Sequence, residues 1–286
     1  MLAKLVSLLP ASWIRSIGIL QFRVPVLGPI IGYVGRNVLA TQGTIRHGIG
    51  AGLKFDASGG VPGFLFGTSE PHEQAALAQY LKPGDVFYDI GANVGFFATR
   101  AAHLVGPEGK VYAFEPFPQS AEKVRKNAAL NDFKHVEVIE AAVSSEPGEA
   151  TLKIGAISGQ NSLRYDNQHG AVKVAVVSID DMREKRSAPG PKLVMIDAEG
   201  AEVEVLKGMA NTIKECRPVI MVEVHWLGDE FLDYCRENIE SIGYTIRPLV
   251  GEKLPEGPVR YHAVLEPNVN GQQDDSDADA AMEDGE

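Results

Sequence analysis

Three groups of residues in this chain have the types and spacing to do chemistry. The first is Val86-Phe-Tyr-Asp-Ile-Gly-Ala-Asn-Val-Gly95, an apolar run that ends in Asp89 and turns through Gly91 and Gly95. The second is Val111-Tyr-Ala-Phe-Glu-Pro116, an apolar run that ends in Glu115, twenty-six residues after Asp89. Strand, small-residue turn, helix and a second acid-ended strand make a nucleoside-binding unit. The turn lets backbone approach a ligand, and the second acid can accept from both ribose hydroxyls. Hydrogen bonds to a charged acceptor are worth roughly 1.5–3 kcal/mol each. The turn reads Gly-x-x-x-Gly, with Asn93 where a dinucleotide fingerprint has its second glycine. A pyrophosphate needs bare backbone there, so this turn suits a nucleoside without phosphates. S-adenosylmethionine is such a ligand, and the chain reads as a methyltransferase.

On that reading Asp89 faces the cofactor's ammonium group, directly or through water. Gly91, Ala92 and Asn93 form the turn, and Gly95 lets the next helix pack tightly. Glu115 takes the ribose, and Pro116 turns the chain away from the crevice. A cap on the helix at 95–105 would account for Asp89 but for neither the glycine pair nor Glu115. At the end of the next apolar run, Ala141 and Ala142 are small enough for an adenine ring to lie against the backbone.

The third group is Leu193-Val-Met-Ile-Asp-Ala-Glu-Gly-Ala-Glu202 with Val219-Ile-Met-Val-Glu-Val-His225. Asp197 closes a strand beside the switch point of the sheet, where ligands of open α/β sheets bind. It can orient a substrate hydroxyl, touch the cofactor or help bind a divalent cation. Glu199 lies in the turn, and Glu202 in a first helical turn, where the dipole also favours an acid. Glu223 and His225 share a face by the period of two. His225 is the candidate general base, because its ordinary pKa lies near neutrality.

These positions need strands that end together. Strands are expected at 86–90, 110–115, 136–143, 192–197, 218–224, 243–249 and 258–265, with helices at 95–105, 119–131, 200–209 and 228–241. Alternation of this kind predicts a parallel α/β sheet wound on both faces. The last two strands, joined by Gly251-Glu-Lys-Leu-Pro-Glu-Gly257, predict a terminal antiparallel hairpin, which nucleotide-binding dehydrogenases do not usually have. That hairpin and Asn93 oppose the rival reading as an NAD-dependent oxidoreductase. Between 144 and 191 two extra strands, at 150–154 and 172–177, flank a polar loop, Gly155 to Gly170, placed to act as a substrate lid. Ahead of the core (residues 85–267) the sequence predicts a helical extension over 1–42, then a small hairpin and a helix over 43–84. Residues 268–286 form an acidic tail of disordered type.

The formal charge is −11 over 286 residues. Residues 267–286 carry seven acids and no Lys or Arg, so removing those seven charges leaves −4 for the rest. Nothing in that balance resembles the basic footprint of a nucleic-acid binder. Cys216 and Cys235 lie nineteen apart without ligand-type clustering, which predicts two reduced thiols in a cytoplasmic protein. No window reaches eighteen uninterrupted apolar residues, so no transmembrane helix is expected. The apolar content of residues 1–40 leaves two readings, a helical cover for the catalytic domain or peripheral contact with a membrane surface.

Taken together these residues resemble the FkbM-type methyltransferase family, which depends on S-adenosylmethionine. The resemblance runs from about Ile45 to Trp226. It is carried by Gly67-Thr-Ser-Glu-Pro-His-Glu73, Lys82 to Gly95, Ala113-Phe-Glu-Pro116, Ser178-Ile-Asp-Asp181, Ile196-Asp-Ala-Glu-Gly-Ala-Glu202 and Arg217-Pro218 followed by Glu223-Val-His225. It implies a class I, Rossmann-like methyltransferase fold with a seven-stranded, mostly parallel sheet. It also implies O-methylation, often of a sugar, glycan or natural-product hydroxyl. The Asn-Pro-Pro-Tyr-type turn of amino-group methyltransferases is missing after the fourth strand, which favours oxygen as acceptor. One position departs from the family: Met195 stands where a Lys is common. It is the single support for the alternative of a catalytically inactive, methyltransferase-fold binding protein.

Overall fold

The computed structural model describes residues 42–58, 62–155, 161–164 and 170–268. The expected N-terminal helical extension and acidic tail lie outside the described residues.

The chain runs β1 (Gln42–Thr44), β2 (Lys54–Asp56), α1 (Pro62–Phe66), α2 (Pro71–Tyr80), β3 (Val86–Ile90), α3 (Phe96–Val105), β4 (Lys110–Phe114), α4 (Pro118–Ala129) and β5 (Val136–Ile139). It continues with β6 (Ala142–Val143), β7 (Gly148–Lys153), β8 (Ala171–Val177), α5 (Ile179–Arg186), β9 (Leu193–Ile196), α6 (Glu202–Lys207), α7 (Ala210–Cys216), β10 (Val219–Val224), α8 (Asp229–Asn238), β11 (Tyr244–Pro248) and β12 (Tyr261–Pro267). Seven strands form the main sheet in the order β11-β12-β10-β9-β3-β4-β5. β12 runs antiparallel to both its neighbours, and the other pairings are parallel. The chain leaves β3 outward to β4 and β5, then returns to β9 on the other side. The switch point therefore lies between β3 and β9, next to Asp89 and Asp197.

Strands β9 and β10 are buried at every residue, as parallel strands covered on both faces must be. Tyr88, Ile90, Phe114, Val194, Ile196, Ile220 and Val222 pack on one face. Phe87, Val111, Ala113, Leu193, Met195 and Met221 pack on the other. Met195, at the position that departs from the family pattern, is therefore a core side chain in register with Asp89.

Two departures from the expected elements have tertiary causes. The strand expected over 136–143 breaks after Ile139. β4 ends at Phe114, and the last rung beside it is the Glu115 N–H on the Ile139 carbonyl. With no partner beyond that rung, the chain turns at Glu140. Ala142 and Val143 then pair with Val176 and Val177 of a separate three-stranded sheet, β6-β8-β7. The helix expected over 200–209 stops at Lys207, and α7 follows as a second helix. Its start is made by Asp180 of α5, whose carboxylate accepts from the Asn211 and Thr212 N–H groups at 2.9 and 2.8 Å. Helix α5, absent from the expected set, is capped by Ser178, which accepts from the Asp181 N–H.

The hairpin ahead of the core is held by side chains rather than by a third strand. Asn131, in the turn that follows α4, both donates to and accepts from the backbone of Lys54, each at 2.8 Å. One turn earlier, Asn127 accepts from the Asp56 N–H at 2.7 Å and donates to the Val94 carbonyl at 2.8 Å. Asn131 also donates to the Asn127 carbonyl at 2.9 Å, so the two asparagines present linked amide groups to the short strand as a neighbouring strand would.

Candidate active site

The carboxyl ends of β3, β4, β5 and β9 open onto a cleft, and the space between its walls, open solvent included, is about 630 Å³. Gly91, Asn93, Glu115, Pro116 and Ala142 all line it, together with Ala141. Of the other expected cofactor residues, Ala92 packs into the core behind the turn. Gly95 stands at the start of α3, where an added Cβ would meet Val124 of α4 at 3.2 Å. These two shape the turn and the helix contact rather than the cleft wall. Gly91 sits at φ +86, and a Cβ there would come within 1.9 Å of the Asp197 carbonyl. The turn after β3 and the end of β9 therefore touch through bare backbone.

Glu115 is held rigidly. Its Oε2 accepts from the Asn93 N–H at 2.7 Å and its Oε1 from the Phe117 N–H at 2.9 Å. Each oxygen keeps a lone pair for a further donor. Burial pushes its carboxyl up to about 7, against the pull of those two backbone donors. Asp89 is 2% exposed, and its Oδ2 has no hydrogen-bond partner among the described residues. Burial, with the Glu70 charge adding to it, raises Asp89 to about 7 as well. Asp89 does not line the cleft: the Ala98 N–H and the Glu70 charge act on it, and Oδ2 is its one unpartnered oxygen among the described residues, whereas Glu115 stands in the cleft wall. Their chemistry fits an ammonium group and two ribose hydroxyls.

The three residues singled out for catalysis converge. Asp197, Glu223 and His225 offer ligand-type atoms that all lie within 4.8 Å of one another. His225 is 2% exposed. Its Nδ1 donates to Glu202 Oε1 at 2.8 Å, since a carboxylate can only accept. Glu202 is itself fully buried and also accepts from the Gly200 N–H. The other ring nitrogen, Nε2, has Glu223 Oε1 and Glu199 Oε2 at 3.7 Å and Asp197 Oδ1 at 3.8 Å. Burial alone would lower the imidazole pKa, but Glu202, Glu199 and Glu223 outweigh it and hold it above its ordinary value. Asp197 is raised well above the carboxylate range by burial and by Glu223, Glu199 and Glu70. Glu223 goes the other way: burial would raise it, yet His262, Arg260 and His225 hold it down.

Sequence reasoning does not reach several neighbours of this cluster. Arg260 is hydrogen-bonded and ion-paired to Glu223 Oε1. His262 lies in register opposite Glu223 on β12 and 3.5 Å from it, and its Nδ1 is 3.4 Å from Glu73. Glu70 joins through its charge, and burial raises it to about 7. The sequence signal is period two: His262 and Val264 of β12, with Arg260 just before it, follow the alternation of one side of a strand. From the loop expected to cover the site, Asn161 and Leu163 line the cleft, and Ser162 donates to the Glu199 carbonyl at 2.6 Å. Asp197 and Glu199 belong to both halves: they line the cleft and face His225.

The profile described as the Methyltransferase FkbM domain matches residues 89–246. The chain is 28% identical over 149 residues to the hexuronic acid methyltransferase AglP of Haloferax volcanii, covering 52% of this chain and 59% of that protein. It is 30% identical over 176 residues to the 31-O-demethyl-FK506 methyltransferase FkbM of Streptomyces tacrolimicus, covering 51% of this chain and 67% of that one. With the 2-O-methyltransferase NoeI of Sinorhizobium fredii the identity is 27% over 155 residues, covering 48% and 62%. The match thus spans about three fifths to two thirds of these relatives' lengths. Among the described residues no helix is long and apolar enough to cross a membrane.

Proposed function

From its membership of the FkbM methyltransferase family, to which this chain belongs, we propose that it methylates a hydroxyl of a sugar, glycan or natural-product acceptor from S-adenosylmethionine. The observation that carries the reading is the shared wall at Asp197 and Glu199, which joins the cleft at the strand ends to the His225 cluster. The printed names of two relatives, a hexuronic acid methyltransferase and a 2-O-methyltransferase, support a sugar or other hydroxyl acceptor.

Asp89 would hold the ammonium group, Glu115 the ribose hydroxyls, and Ala141 and Ala142 the adenine face. Bound there, S-adenosylmethionine supplies a methyl on a positively charged sulfur: the acceptor oxygen makes the new C–O bond while the C–S pair returns to sulfur. Holding the two reactants in line removes much of the entropic barrier. An alkyl hydroxyl is a poor nucleophile, so its proton must have somewhere to go. The carboxylates of Asp197 and Glu199 stand at the cleft wall and can draw it off, with the buried His225 ring behind them, kept oriented by Glu202. Cytoplasmic placement belongs to the same reading, supported by the two free cysteines.

The test is calorimetric titration of the whole chain with S-adenosylhomocysteine, with NAD as control, followed by methyl transfer from labelled S-adenosylmethionine to uronic-acid glycosides. Binding of S-adenosylhomocysteine alone, then label in the glycoside, is the expected result. A folded sample that binds neither ligand would overturn the reading.

A further inference from the structure

The carboxylates around His225 Nε2 have the spacing of groups that share an ion. Three carboxylate oxygens, from Asp197, Glu199 and Glu223, stand 3.7–3.8 Å from that one nitrogen. Such separations exceed hydrogen-bond length. Ligand atoms that share one ion at about 2.1 Å lie roughly 3–4.2 Å from each other; the three distances to Nε2 fall inside that interval, and the Asp197, Glu223 and His225 atoms all lie within 4.8 Å of one another, a group that does not include Glu199. The ring is aimed by a buried partner behind it: Glu202 takes the Nδ1 proton at 2.8 Å. A carboxylate on the far nitrogen is the arrangement that orients metal-binding histidines and raises their basicity.

Two further observations point to a missing positive charge. Asp197 Oδ1 and Glu202 Oε2 are buried oxygens without a hydrogen-bond donor among the described residues. Glu202 is wholly buried and its carboxylate is directed at His225. Among the described residues, Glu70, Glu73, Asp197, Glu199, Glu202 and Glu223 stand near His225 and His262, with Arg260 paired to Glu223, and burial and crowding raise Asp197 and Glu70, which a cation would relieve. Arg260 contacts Glu223 Oε1, and its side chain is 54% exposed, so an ion at this place must displace it from that oxygen.

We propose that Asp197, Glu223 and His225, with Glu199 at the cleft side, bind a divalent cation of the Mn²⁺ class. The mainly oxygen donor set favours a hard ion, and the imidazole favours Mn²⁺ over Mg²⁺. Asp197 and Glu199 also line the cofactor cleft, so the open side of the ion faces the place where an acceptor hydroxyl must sit. There a cation lowers the pKa of the hydroxyl and fixes its direction. This role rests on the methyl-transfer reading, whereas the binding does not.

The experiment is a titration of the full, chelator-stripped chain with MnCl₂, followed by the free-ion electron paramagnetic resonance signal. One bound Mn²⁺ per chain is expected, with nitrogen coupling from the His225 ring in the spin-echo spectrum. Asp197→Asn should weaken binding at least tenfold. Glu202→Gln changes the Nδ1 side of the ring and the Gly200 N–H contact but no proposed ligand atom, yet should weaken it about ten- to hundredfold. The exposed Glu149→Gln should leave it unchanged. Thermal melts identify any variant that fails to fold, and the nitrogen coupling tests the wild type without one. Absence of stoichiometric Mn²⁺ would overturn the proposal and leave Arg260 as the counter-charge. Bound Mn²⁺ without nitrogen coupling would overturn it equally. S-adenosylhomocysteine binding is measured on the same sample. Nucleoside bound without Mn²⁺ removes the ion alone, and Mn²⁺ bound without nucleoside removes the methyl-transfer reading alone.

Discussion

Replacing Glu115 by Ala separates a binding role from a structural one, provided the ligand is varied with the protein. The carboxylate is 6% exposed and fixed by two backbone donors, so each oxygen presents one remaining lone pair in a set direction. Two ribose hydroxyls donating to it would contribute roughly 3–6 kcal/mol together, a factor of about 10²–10⁴ in affinity. The substitution also strips the Asn93 and Phe117 N–H groups of their acceptor, at roughly 1–3 kcal/mol each. A loss of affinity alone could therefore come from a loosened turn. Calorimetry with S-adenosylhomocysteine and its 2′-deoxy analogue resolves this, run at pH 8, above the value of about 7 to which Glu115 is raised. The wild type should lose about 10–150-fold on removal of one hydroxyl. The Glu115→Ala protein should hardly distinguish the two ligands. Equal discrimination by both proteins would refute the assignment of the ribose to this carboxylate.

Asp89 and Glu115 are both raised to about 7, so nucleoside affinity should climb from pH 6 to pH 8 and then level off. A group at that value is only about a tenth ionised at pH 6, and an affinity flat over this range would count against Asp89 as the ammonium partner. Because these folded-state values lie above the unfolded ones, their contribution to ligand-free stability is fully present below the ordinary carboxylate range and is lost as pH rises through about 7. Thermal melts from pH 5 to pH 8 read that fall directly. Gly91→Ala adds a Cβ within 1.9 Å of the Asp197 carbonyl at φ +86 and should cost roughly 2–5 kcal/mol of stability; an unchanged denaturation midpoint would show that the turn and β9 are not in contact. Asn127→Ala leaves the Asp56 N–H and the Val94 carbonyl without their partner and should cost roughly 2–4 kcal/mol by denaturant unfolding, with a change below 0.5 kcal/mol (about the scatter of a surface substitution) sinking the claim that it anchors the hairpin.

What the amino-acid order determines by itself is local. Val86 to Gly95 announces strand, turn and helix because apolar run, acid and glycines are consecutive, and Glu115 is recognisable because it ends the next such run. Alternating strands and helices specify a parallel sheet, and the hairpin around Gly251 to Gly257 specifies its antiparallel end. Period two along Glu223 to His225 is legible in the same way. Tertiary structure alone decided what those side chains meet. Strand 136–143 divides because β4 is too short to pair with its second half. Helix α7 begins where Asp180, thirty-one residues away, supplies the cap. Glu202 reads as a dipole-favoured surface acid until β10, lying beside β9, brings His225 onto it. Arg260 and His262 enter the cluster because β12 pairs with β10 in one particular register. Propensity and turn chemistry act over a few residues, whereas the charges that shift a pKa or share a cation act through space. Their neighbours are chosen by strand order and register, which the sheet sets only when it closes.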